Sequence, residues 1–269
     1  MAEGDEIEDV EEAGVEGLSD DVALYPEAAD PQAIVERKVP ADIREKFEIY
    51  SYKNAAVILS EVRKEEFAEI CDALRAFEIT TDMIKKAGGN ESDMPKLFSK
   101  TLRPKGWHET IIQADLLVKL KWREVVRHTK SGKPVTEARD REIKRERYLD
   151  GHKIDYVKGT VAFDLEWNSK DQTFDRDLYA FNAFFLSGAI DCAVLVTRSA
   201  SLNTIFRDLA IFAKYGASTT WMGKLLYRLN AGRNGGCPVL VVGITPKCVI
   251  DWVPPPAPSS EPGVTAPET

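Results

Sequence analysis

The sequence predicts an α/β (α+β) fold, a central mixed β-sheet flanked by helices. Three observations carry that prediction. His152 to Asn168 alternates apolar and polar residues around Gly159-Thr160, as a β-hairpin does. Ile190–Thr197 and Cys237–Thr245 are short continuous apolar runs, the pattern of strands buried on both faces. Helical stretches separate them, at Phe174–Leu186, Leu202–Phe212 and Thr220–Leu229. Hairpin, helix, strand, helix, helix, strand is the order of a sheet covered by helices on both faces.

The elements follow in chain order. Residues 1–35 hold twelve acidic residues and no Lys or Arg, and read as a disordered tail. That tail either solubilises the chain or shields a basic body by mimicking a polyanion. The body, residues 36–252, begins its ordered structure near Pro40. Ala55–Leu59 reads as a short buried strand. Lys64–Phe77 places Phe67, Ile70, Cys71, Leu74 and Phe77 on one helical face. Thr81 caps a short helix through Lys86 that Gly88-Gly89 ends, and Ser92 caps another through about Lys100. Glu109–Trp122 is a strand by the alternation of Leu116, Val118, Leu120 and Trp122, and Arg127–Lys133 is a basic turn. The charge run Arg139–Arg147 reads as a solvated helix face with mixed-sign pairs, or as a phosphate contact. Thr219 or Thr220 caps the helix that Gly232 ends. Residues 253–269 contain Pro-Pro-Pro and further prolines and form a second disordered tail.

Composition sets the limits. The 269 residues are 43% apolar and 30% charged, enough for one sizeable core. The net charge of −8 hides an asymmetry. Without the twelve acids of the first tail and two of the second, the body has 36 basic and 30 acidic residues, a net of +6. Such a body is compatible with a polyanionic partner. Cys71, Cys192, Cys237 and Cys248 have no CxxC or Cys/His spacing, so neither a disulfide framework nor a zinc site is expected. The start is acidic rather than that of a secretory leader, and no apolar run approaches the roughly 18 residues of a membrane span. The expectation is a cytoplasmic protein with no membrane contact.

The hairpin carries the chemistry. A Gly159-Thr160 turn sets Asp155 opposite Asp164 and Lys153 opposite Glu166. Val161, Phe163, Leu165 and Trp167, with Ile154 and Tyr156, then share an apolar face, and Asp155, Asp164 and Glu166 the other. Opposed like charges destabilise a sheet. The trio therefore calls for a hard cation such as Mg²⁺, or is a solvated face relieved by Lys153 and Lys158. The three histidines, His108, His128 and His152, pair with no nucleophile. Gly-rich Asn230–Gly236 lacks the Gly-Lys-Ser/Thr ending of a phosphate loop and reads as a helix end. Lys214–Lys224 gathers Lys214, Ser218, Thr219, Thr220 and Lys224 on a loop leading to a helix, with Arg228 and Arg233 beyond. These suit DNA phosphate or base-edge contacts, or plain capping and packing.

Asp155 followed nine residues later by Asp164-Leu165-Glu166 resembles the PD-(D/E)XK nuclease core. Glu166-Trp-Asn-Ser-Lys-Asp171, Phe174-Asp-Arg-Asp-Leu178, Gly216-Ala-Ser-Thr-Thr220 and Gly235-Gly-Cys-Pro-Val-Leu240 extend the likeness to the BglII-type restriction endonucleases, over roughly residues 145–247. The resemblance implies a restriction-endonuclease-like core and a Mg²⁺-dependent, sequence-specific endonuclease acting on double-stranded DNA as a homodimer. It implies Asp155 and Asp164 as metal ligands. Glu166 stands where the core usually has Lys, as a ligand that orients or deprotonates the attacking water. Glu109 matches the helix-borne acidic residue that some of these enzymes add, although it precedes an apparent strand. Lys170, close beyond the motif, either restores a positive charge there or is a surface lysine. The alternative is a DNA-binding module or repair nuclease on the same scaffold, without restriction specificity.

Overall fold

The computed structural model describes residues 25–86, 93–216 and 218–254. Six strands form one mixed sheet in the order β1-β6-β5-β4-β3-β2. They are β1 (Phe47–Tyr52), β2 (His108–His128), β3 (Pro134–Lys158), β4 (Val161–Glu166), β5 (Cys192–Arg198) and β6 (Val239–Ile244). β4, β5 and β6 are parallel, and the flanking pairs β1·β6, β3·β4 and β2·β3 are antiparallel. Every residue of β4, β5 and β6 is buried, which accounts for their near-continuous apolar sequences.

Alternate residues of these strands feed two cores. Phe163, Val194, Val196, Leu240 and Val242 pack with Phe77, Phe98 and Trp107. That face is covered by α1 (Gln32–Lys38), α2 (Ala41–Lys46), α3 (Ala55–Val57), α4 (Lys64–Ala76), α5 (Thr81–Lys85) and α6 (Asp93–Leu102), then by α8 (Asn203–Asp208). Ala162, Ala193, Leu195, Val239 and Val241 face the other way, onto α7 (Thr173–Leu186) and α9 (Met222–Asn230). Phe174, Leu178, Phe181 and Phe184 of α7 all lie in this second core. The sheet therefore fixes which wall of the molecule α7 presents to the ends of β3 and β4.

Several expected elements differ. Ala55–Leu59 is helical, running from α3 into a π turn at Ile58–Val62. A short apolar run has no decisive period, and Asn54 at φ 63° and the Ser51 hydroxyl, which accepts from Ala56 N, begin a helical turn. The strand before it is β1. Arg139–Arg147 is part of β3, not a helix: its charges pair across the ladder, Lys119 with Glu142 at 2.7 Å and Arg139 with Glu124 at 2.9 Å. Thr80, not Thr81, caps α5 by accepting from Met83 N. No side chain caps α9, because the Thr220 hydroxyl accepts from Ser169 N instead. α8 stops at Asp208, and Ala210 at φ 55° breaks the continuation to Phe212. Residues 25–35, which composition assigns to the acidic tail, include the first turn of α1, with Val35 fully buried. Gly88-Gly89, Ser92, residues 1–24 and residues 255–269 lie outside the described residues.

Candidate active site

The hairpin turn falls where the sequence puts it. Gly159 has φ 54°, and Lys158 pairs with Val161, Val157 with Ala162 and Tyr156 with Phe163. Beyond Tyr156 the regular pairing stops. On the other side of β3, His108 pairs with Val157 but Thr110 with Ile154, so Asp155 and Tyr156 together oppose Glu109. This is a β-bulge, a device that re-aims side chains. Ile154 consequently joins the α7 core beside Ala162, rather than the face it was expected to share with Tyr156. Asp155 turns to the same side and lines a cavity of about 380 Å³ with Asp164, Lys153, His152, Arg176 and Ala180.

Asp164 and Glu166 point from β4 toward α7, and both are buried. Asp164 accepts from Leu165 N at 2.9 Å, which fixes its carboxyl. Burial, then the charges of Asp177, Asp155 and Glu166, raise its pKa well above its ordinary value. Asp177 of α7 is the site residue that sequence reading missed. It is nearly fully buried, and burial followed by the Glu166 charge pushes its pKa up to about 8, against the opposing pull of Arg176. Arg176 donates to Asp177 Oδ1 from Nε at 3.0 Å and Nη2 at 2.9 Å, while Asp177 Oδ2 has no partner. Oδ2 is thus the buried oxygen left without a donor or acceptor. Glu166 also accepts from Arg176 Nη2 and from the Thr173 hydroxyl, each at 3.3 Å. The signal for Asp177 was present as Phe174-Asp-Arg-Asp-Leu178, an acidic residue on the apolar side of a core helix.

The remaining candidates are placed as follows. Glu109 lies on strand β2 rather than a helix and is half exposed. It holds Lys153 Nζ at 2.8 Å, a bond that lowers the Glu109 pKa. Lys153 thus pairs with Glu109, not across the hairpin with Glu166, yet the charges of Asp155 and Asp164 also reach it. Lys158 pairs with Glu69 at 2.8 Å and Glu65 at 3.2 Å, so it does not relieve the trio. Lys170 is exposed and bridges Thr219 through the backbone, and Arg176 is the cation at Glu166. Lys214 Nζ donates to the carbonyls of Ile84 and Lys86 at the end of α5. The Thr219 hydroxyl accepts from Arg198 at 2.5 Å. Arg228, buried, lies 3.1 Å from Asp175 and 3.5 Å from Asp171. Arg233 lies 2.5 Å from Asp175 and Lys224 3.9 Å from Asp171, whereas Ser218 is exposed. Apart from Ser218, these groups fasten Lys214, Thr219 and α9 to their neighbours.

The donors suit a hard divalent ion in kind, being buried carboxylate oxygens short of positive charge with one oxygen orphaned. They are not gathered into a cage: among the described residues no three His, Cys, Asp or Glu side chains stand together closely enough to hold one ion.

Residues 47–244 match the family model described as restriction endonuclease BglII/BglIII. The chain belongs to that family. The match spans the sheet from β1 to β6 and includes Asp155, Asp164, Glu166 and Asp177. A comparison with curated proteins gives no significant match. Membership in the BglII/BglIII family makes the protein a nuclease of restriction type with DNA as substrate. The cavity beside the β2–β3 bulge is its candidate active site. No helix among the described residues is long and apolar enough to cross a membrane.

Proposed function

We propose that the chain is a Mg²⁺-dependent, type II site-specific deoxyribonuclease, which hydrolyses phosphodiester bonds in double-stranded DNA as a cytoplasmic homodimer. The observation that carries this reading is the Asp155–Asp164 pair, brought to one cavity by the bulge in a chain of this family. Asp155 and Asp164 would hold the metal, with Glu166 beside them. A bound Mg²⁺ supplies a more acidic water and neutralises charge on the phosphoryl oxygens.

The chain's own residues divide the rest of the work. Glu166 takes a proton from the attacking water, the role left open by the missing lysine. Asp177, kept protonated at neutral pH by its burial, adds no fourth negative charge to the cluster. The Arg176 guanidinium, two-thirds exposed at the cavity wall, would meet the scissile phosphate, and Lys153 would add a second cation. Burial of Asp164 and Glu166 under α7 keeps bulk water from screening these interactions.

Supercoiled plasmid incubated with Mg²⁺ tests the reading. Wild type is expected to give linear DNA, and Asp155→Ala and Asp164→Ala to lower the rate by at least about 100-fold. Discrete fragments from a long DNA are expected of a restriction enzyme, and a smear of a repair-type nuclease. Binding without cutting in every divalent ion would defeat the enzymatic reading.

A further inference from the structure

β2 and β3 continue far beyond the sheet. The start of β2 and the paired end of β3 line the candidate active cavity, through Ile111, His152 and Lys153. Past Gln113 they leave the body as a two-stranded ribbon, paired from Leu116·Arg145 to Val125·Thr136 and closed by the 129–133 turn. Gln113 to His128 spans about 50 Å at strand rise. The ladder is irregular at three places near its root and tip, between Ile112 and Gln113, Ala114 and Leu116, and Val125 and Arg127. Gly151 at φ 78° and Arg147 at φ 53° sit in the first two, and such bulges bend and twist a ribbon.

Nothing in the described body covers it. Leu117, Leu120, Trp122 and Val125 are each about half exposed. An isolated two-stranded hairpin is marginal in water, so a partner is needed to hold this one. Its charge selects the partner. Residues 113–150 carry eleven Lys or Arg and seven Asp or Glu, so +4 of the body's +6 resides here. Lys121, Arg127, Lys130, Lys133, Arg141 and Arg145 have no carboxylate partner among the described residues. Two copies of such a ribbon would repel each other, whereas a polyanion would not.

We propose that this ribbon is an arm that lies along the DNA duplex flanking the scissile phosphate. Its root adjoins the cavity, its reach exceeds one helical turn of B-DNA at about 34 Å, and a two-stranded ribbon fits the major groove. Unpaired Lys and Arg meet successive phosphates, and the exposed apolar side chains meet sugars and base edges. The proposal rests on the nuclease reading for its DNA, but its test does not require cleavage.

The test compares the full chain with Arg127→Ala/Lys130→Ala/Lys133→Ala/Arg141→Ala, four exposed positions remote from the cavity. Binding is measured against salt with Ca²⁺ present, on one duplex of about 40 base pairs and one of about 12, which extends only roughly 20 Å either side of its middle. On the long duplex the variant is expected to bind more weakly, with the log K against log[salt] slope shallower by about 0.9 for each phosphate no longer neutralised. On the short duplex the two proteins are expected to bind alike. Circular dichroism checks that the variant is folded, and the exposed Trp122→Ala change gives a second, charge-neutral variant expected to weaken only long-duplex binding. Equal slopes and affinities on the long duplex would overturn the arm. So would unchanged DNA binding together with a loss of dimer on sedimentation, which would assign the ribbon to a second copy. Arm-dependent binding by a protein that never cuts would support the arm and refute the nuclease reading alone.

Discussion

Asp164, Glu166 and Asp177 place three carboxyls under one helix, with the Arg176 guanidinium as the cation that bonds to Glu166 and Asp177. Charge must therefore be removed from the cluster by protons when no metal is bound. Asp177, pushed up to about 8 from 3.8, does so at neutral pH. For a carboxyl whose folded pKa is raised, the folded state binds the proton more tightly than the unfolded chain. The resulting stability is complete below the unfolded value and is lost as pH rises through about 8. Between those limits one such group contributes a slope of at most about 1.4 kcal/mol per pH unit. Metal-free protein is accordingly expected to melt at a lower temperature at pH 8 than at pH 6. Asp177→Asn, which keeps the shape without the charge, is expected to flatten that slope and raise the melting temperature at pH 8. Thermal melts in a chelating buffer across this range check it. A variant with the wild-type slope would show that Asp177 is not the titrating group.

At the scale of elements, the hairpin turn and the bulge do the positioning. Gly159 at φ 54° holds the register that carries Asp155 toward Asp164. A Cβ there would meet only the far end of the Glu66 side chain, at 2.7 Å, so the cost of Gly159→Ala is mainly the left-handed backbone. That cost is expected to be about 1 kcal/mol, read from urea unfolding. The turn, α7, β5 and β6 were legible in the sequence because local signals specify them: Gly-Thr, a helical apolar period, and two β-branched runs. The bulge at Asp155–Tyr156 was not, since it arises from the pairing of β3 with two neighbours at once, and it moved Ile154 to the opposite core. Asp177 was hidden for a related reason. Its role depends on which face of α7 meets β4, a fact fixed by packing of Phe174, Leu178 and Phe181 rather than by any motif. The charge run 139–147 misled because mixed-sign residues satisfy a helix face and a cross-strand ladder equally well.

The whole molecule joins a compact sheet, closed on both faces, to one long cationic ribbon rooted at the cavity. The composition of the body was compatible with a polyanionic partner, but only the ladder pairing of β2 with β3 revealed where its positive charge is concentrated. On the proposed reading, with one active cavity per chain attacking one strand, cutting a duplex symmetrically would take two copies related by a twofold axis, and that symmetry would be imposed on the DNA site. The most direct measurement is digestion of a long, sequenced linear DNA with Mg²⁺, followed by mapping of the fragment ends, with Asp164→Asn as control. The account expects ends clustered at one short palindromic sequence, with cuts placed symmetrically on the two strands and none made by the control. Ends scattered without a shared sequence, or cleavage undiminished by Asp164→Asn, would contradict it.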